Sequence, residues 1–143
     1  ASLAPLLALA ACGGDVSDPE AEIRAWVDTM QSHAEAKERR DIIDKVSAAY
    51  ADARGNSRDD VENVLRVYFL RQNRIALMSR IDEIRIIDDT AAEVSLMVGM
   101  AGTQNSGLGI SADAYNFELE LEREGDDWVL VSARWGEIGS QLR

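Results

Sequence analysis

Tyr50, Tyr68, Tyr115 and Arg134 are the side chains best suited to recognising a small molecule. A phenol can donate a hydrogen bond from an otherwise apolar wall, and a guanidinium set into such a wall requires an anion. One hairpin would set Tyr115 and Arg134 together. Tyr115, Phe117, Leu119 and Leu121 alternate with Asn116, Glu118, Glu120 and Glu122 at the period of a half-buried strand. Arg123-Glu124-Gly125-Asp126-Asp127 tolerates a tight reversal, and Trp128-Val129-Leu130-Val131 resumes a β-rich run to Trp135. A two-residue turn at Gly125-Asp126 sets Leu121 opposite Leu130, Leu119 opposite Ser132 and Phe117 opposite Arg134. Arg134 then shares a face with Tyr115 and Phe117, held by Asp52, by Glu137 or by the acidic group of a ligand. The candidate ligand-binding set is Tyr50, Tyr68, Tyr115, Phe117 and Arg134. The opposite face carries Val129, Val131, Ala133 and Trp135 beside Glu118, Glu120 and Glu122. Val129, Val131 and Trp135 are the candidate contact of a homodimer, opposed by the self-repulsion of the acidic column.

Other chemistries are narrowed by count. His33 is the sole histidine and Cys12 the sole cysteine, so multi-histidine metal sites, four-cysteine zinc sites and an internal disulfide are excluded. His33 reads as a residue at the edge of a helix stripe. Asp59-Asp60, Asp88-Asp89 and Asp126-Asp127 fall at caps and turns, where local capping explains them better than calcium. No metal or cofactor is expected. A net charge of -11 repels polyphosphates and anionic lipid surfaces, so nucleic acid is not expected as a partner.

The amino terminus explains Cys12. Residues 1–11 are uncharged and mostly Ala and Leu, too short to span a bilayer but matching the apolar core of a signal peptide. Leu9-Ala10-Ala11-Cys12 resembles the lipobox of bacterial lipoproteins, in which cleavage before the cysteine exposes a residue that is then acylated. That reading divides the chain into a signal remnant at 1–11, a lipidated tether at 12–17 and one domain at 18–143. The membrane is reached through the lipid anchor alone. Gly13, in place of an aspartate after the cysteine, resembles the outer-membrane sorting pattern. The expected location is the bacterial cell envelope, at the periplasmic face of the outer membrane in a Gram-negative organism.

The elements that position the candidate site follow from periodicity. Ser17-Asp18-Pro19-Glu20 is a helix start, and Ile23, Trp26, Val27 and Met30 form its stripe. Apolar spacing resumes at Ile42, Ile43, Val46, Ala49 and Tyr50, which implies a second helix, or the rest of a bent first one, ending at Arg54-Gly55-Asn56. Ser57-Arg58-Asp59-Asp60 caps a third helix bearing Val61, Val64, Leu65, Tyr68 and Phe69, with Gln72 at its end. Strands follow near Leu77–Ile87 and Val94–Met100, with a turn at Asp88-Asp89-Thr90 and a polar connection from Gly102 to Ser111. Helices first and a strand meander afterwards imply an α+β domain, its helices on one face of a curved antiparallel sheet of about four strands.

Taken with Asp52-Ala53-Arg54-Gly55-Asn56-Ser57-Arg58-Asp59, Val64 to Leu70, Ala92-Glu93-Val94, Phe117-Glu118-Leu119 and Trp128-Val129-Leu130, the chain resembles the nuclear transport factor 2-like superfamily from Asp18 to Trp135. This is the cone-shaped, cystatin-like fold that includes ketosteroid isomerases and polyketide cyclases of the SnoaL type. Its small bacterial lipoproteins are the closest in kind. The resemblance implies a cup between sheet and helices. Cup enzymes of the superfamily often use an Asp with a His or a Tyr, a pair that the sequence does not locate. The expectation is therefore an envelope-anchored lipoprotein whose cup binds a small hydrophobic or acidic ligand, or a protein, without catalysis. The alternative is an isomerase- or cyclase-type enzyme acting on a hydrophobic small molecule, with Arg134 orienting an acidic group.

Overall fold

The computed structural model describes residues 18–104 and 110–143. Helices α1 (Pro19–Glu35), α2 (Arg39–Ile43) and α3 (Arg58–Arg71) precede strands β1 (Gln72–Asp88), β2 (Ala91–Gln104), β3 (Ile110–Glu124) and β4 (Asp127–Glu137). The strands form one antiparallel sheet in the order β1-β2-β3-β4. The sheet is curved, and the helices cover one face of it. No helix among the described residues is long and apolar enough to cross a membrane.

Helix α1 starts where capping chemistry puts it. The Asp18 side chain accepts from the Glu20 amide, and Pro19 occupies the first turn, where a missing N–H costs nothing. Its stripe of Ile23, Trp26 and Val27 is buried against Ala92, Val94, Leu96, Leu121 and Trp128. Each such side chain contributes roughly 1.5–3 kcal/mol by leaving water. Polar ties fix how the helix crosses the sheet. Trp26 Nε1 donates to the Trp128 carbonyl at 3.0 Å, while Trp128 Nε1 and Arg123 both donate to Glu22 at 2.8 Å. Near its other end Gln31 donates to the Leu77 carbonyl at 2.9 Å and accepts from Ser79 Oγ at 2.7 Å. The helix thus runs from the β3–β4 hairpin to β1.

Helix α2 stops at Ile43, short of the helix expected to reach Gly55, because the chain from Lys45 to Ala51 instead protects the edge of β4. Leu130 donates to the Lys45 carbonyl at 2.8 Å, and Ser47 and Ala51 donate to the carbonyls of Leu130 and Val131. Those bonds satisfy backbone groups that an edge strand would otherwise leave unpaired. Ser57 and Asp60 form a capping box at the start of α3, as the sequence implies. The stripe of α3 is narrower than expected. Val61 and Leu65 pack toward the core, whereas Val64 is 64% exposed, because its position on the helix turns it to the outer side with Val67 and Leu70. Gln72 does not extend the helix face but opens β1, and it is buried.

The hairpin departs from the expected register at one residue. Leu121 does pair with Leu130, but the ladder then shifts between Glu120 and Leu121, leaving Val131 as an extra residue on β4. Beyond that bulge Leu119 faces Ala133, Glu118 faces Arg134 and Phe117 faces Trp135. A one-residue slip exchanges the two faces of a strand, so Arg134 and Trp135 trade places relative to the sequence reading.

Candidate functional site

Alternation along the strands puts Ala92, Val94, Leu96, Val98 and Met100 of β2 on the helix-facing side, beside Leu121, Leu119, Phe117, Tyr115 and Asp113 of β3. Burial along this face is graded. Leu121, Ala92 and Val94 are nearly inaccessible beneath α1, whereas Val98, Met100, Tyr115 and Phe117 are only half-buried. The half-buried end, with Tyr68 of α3 beside it, is the candidate cup.

Its lining is aromatic. Tyr115 meets Phe117 edge-on with ring centroids 6.3 Å apart, and Phe117 stacks on Trp135 at 6.5 Å. Tyr68 lies beside Phe69 at 6.2 Å. The Tyr68 phenol is pushed above its ordinary range, first by burial and then by the charges of Asp113 and Tyr115. Tyr68, Tyr115 and Asp113 therefore share one neighbourhood at the rim, where Asp113 is exposed.

The other predicted residues fall elsewhere. Tyr50 is buried in the cluster of Ile43, Val46 and Ala133, and its hydroxyl donates to Asp52 at 2.7 Å. Burial, the Asp52 hydrogen bond and the Asp52 charge together push its phenol far up. Burial would raise Asp52 as well, but the hydrogen bonds from Tyr50, Asn56 and the Arg54 amide outweigh it and hold the carboxyl below the usual carboxylate range. This is a saturated turn, Gly55 adopting φ +81 at its tip.

Arg134 is not in the cup. It forms an ion pair with Glu118 on the outer face, lining a shallow polar hollow with Arg85, Glu93, Ser95 and Ser132. Neither Asp52 nor Glu137 is its partner. Trp135 is likewise not on the outer face. It stacks on Phe117 inside, with Arg54 lying 4.0 Å from its ring centroid and donating to its carbonyl at 2.7 Å. Val131 is the bulged residue, and Val129, opposite Glu122, is buried and not an exposed contact. Cys12 lies outside the described residues. His33 Nδ1 lies 3.3 Å from Glu38 Oε1, with Asp41 close by.

Neither a family model nor a curated protein matches the chain. Solved structures do. A putative scytalone dehydratase from Novosphingobium aromaticivorans superposes with a TM-score of 0.73 at 10% identity, covering 86% of this chain and 89% of that one. An NTF2-like superfamily protein from Salmonella enterica serovar Typhimurium gives 0.69 at 9% identity, over 82% and 89%. The fold is nuclear transport factor 2-like. Another nuclear transport factor 2-like neighbour is a putative calcium/calmodulin dependent protein kinase II association domain from Xanthomonas campestris, with a TM-score of 0.71 at 15% identity over 89% and 93%. One of these neighbours is a putative enzyme and another a putative association domain, so this fold leaves function to the site.

Two contributors to the site escaped the sequence reading. The bulge hides the face of Trp135 from any strict alternation, and Asp113 precedes the legible alternation that begins at Tyr115. The run Trp128-Val129-Leu130-Val131, four apolar residues without alternation, was the available signal that the ladder shifts there.

Proposed function

We propose that the chain is an envelope-anchored lipoprotein whose nuclear transport factor 2-like cup binds a small hydrophobic ligand without converting it. The observation that carries this reading is the half-buried aromatic wall of Tyr68, Tyr115 and Phe117 at the open end of an otherwise sealed inner face. Ligand sites are concave, mostly apolar and supplied with few polar groups, and two phenols suit that role. The ion pair of Arg134 with Glu118 removes the guanidinium that would have oriented an acidic ligand there. Tyr50 supports the wall from below through the core around Ala133 rather than by touching the ligand. Acylation of Cys12 would hold the domain at the membrane, each buried methylene contributing about 0.8 kcal/mol.

Fluorescence titration with an apolar naphthalene probe tests the binding claim. Tyr115→Ala is expected to weaken probe binding about tenfold and Arg134→Ala to leave it unchanged. Equal affinity in all three proteins would overturn the assignment.

The second reading, an isomerase- or cyclase-type enzyme, is favoured by Asp113 beside Tyr68 and Tyr115. A carboxylate that takes a proton and phenols that steady the resulting oxyanion are the parts such a reaction needs. It would rest on Asp113, with no role for Arg134.

A homodimer would use the outer sheet face. With Trp135 inside, the apolar part of that face is the end around Met78, which is 80% exposed and pairs with Gly99.

A further inference from the structure

We propose that His33, Glu38 and Asp41 form a binding site for a divalent transition-metal ion of the zinc class. The three residues reach one point from separate pieces of backbone: the last turn of α1, the link after it and the first turn of α2. The link closes because the Glu38 amide donates to the His33 carbonyl at 2.8 Å while Lys37 adopts φ 56, the left-handed conformation that reverses a chain leaving a helix. Glu38 is thereby folded back over His33. One imidazole nitrogen and two carboxylate oxygens all lie within 4.8 Å of one another. Bonds of about 2.1 Å in a tetrahedral zinc site separate ligand atoms by roughly 3.4 Å, so side-chain rotation alone gathers this set around an ion.

The donor chemistry selects the ion. Calcium and magnesium take oxygen ligands, whereas an imidazole with two carboxylates suits zinc and its neighbours in the first transition row. The surroundings accommodate the rest of the coordination sphere. His33 and Asp41 open onto a hollow also lined by Asp44, Asp127 and Lys45, so two further carboxylates can accept hydrogen bonds from metal-bound water. Lys45 is the opposing charge there. The nearby cations Lys37 and Arg39 are engaged elsewhere, with the Gln72 carbonyl and with Glu62 at 3.7 Å. An ion at this point would tie α1 to α2, whose following segment covers the edge of β4, and would thus stabilise the folded chain by mass action.

Calorimetric titration of the full chain with Zn2+, and Co2+ titration followed by visible absorption, test the site. The sole histidine makes imidazole NMR an unambiguous second readout. The expected result is binding of one equivalent, displacement of the His33 ring resonances, and affinity weakened at least tenfold in both His33→Ala and Asp41→Asn. Should His33→Ala fail to fold, the exposed Asp41→Asn and the wild-type His33 resonances decide the matter. Zn2+ affinity unchanged in the variants, or wild-type His33 resonances that do not move with added Zn2+, would overturn the proposal and leave non-specific binding to surface carboxylates.

Discussion

Asp52 accepts hydrogen bonds from Tyr50, Asn56 and the Arg54 amide, and its depressed pKa makes the turn a pH-dependent element of stability. A carboxyl whose folded pKa lies below its unfolded value, about 3.9, contributes stability above that value and loses it as pH falls through the folded pKa. Asp52→Ala is expected to destabilise the protein by about 1–2 kcal/mol at pH 7, with the difference shrinking below about pH 4; urea unfolding at both pH values measures it. Arg134 shows where residue-scale reading from sequence stops. Its type announced an ion pair, and the structure has one. Its partner was unreadable because one extra residue between Leu130 and Ser132 moved it to the other face.

At the scale of elements, local chemistry was legible wherever a cap or an alternation wrote it into adjacent residues. Asp18-Pro19 starts α1, Ser57 with Asp60 starts α3, and Asp88-Asp89-Thr90 turns β1 into β2. Ser57→Ala should cost about 1 kcal/mol of stability, read as a lowered thermal midpoint. What adjacent residues do not encode is how elements meet. The bulge at Val131 coincides with the place where Ala51 donates to the Val131 carbonyl from far upstream, a contact without local signal. Deleting Val131 should restore a straight ladder in the same pairing, keep Trp135 packed on Phe117 and forfeit the hydrogen bond that Ala51 donates to the Val131 carbonyl. A loss on the order of 1 kcal/mol with an unchanged near-ultraviolet aromatic signal is expected, and a collapse of that signal would contradict the bulge assignment. His33, Glu38 and Asp41 were likewise invisible as a group, since a spacing of five sets His33 and Glu38 about 140° apart on a continuous helix, and only the reversal at Lys37 brings them together.

At the scale of the molecule, the α+β architecture was legible because helices, then a four-strand meander, admit few arrangements. The graded burial of the inner face was not, since Val94 and Val98 look alike in a sequence yet one is sealed and the other half-open. The lipoprotein reading predicts that the full-length precursor partitions with membranes and gains the mass of acyl chains. Cys12→Ala should abolish both, and continued membrane fractionation of that variant would contradict the anchor. If the outer face makes a dimer, Met78→Glu should convert it to a monomer in sedimentation velocity.

Chemical-shift mapping decides whether the cup takes a ligand. Titrating the labelled protein with an apolar naphthalene probe should move resonances of Val98, Met100, Tyr115, Phe117 and Trp135 together, leaving Ser95 and Arg134 on the outer face unmoved. Shifts confined to the outer face, or none at saturating probe, would contradict the account.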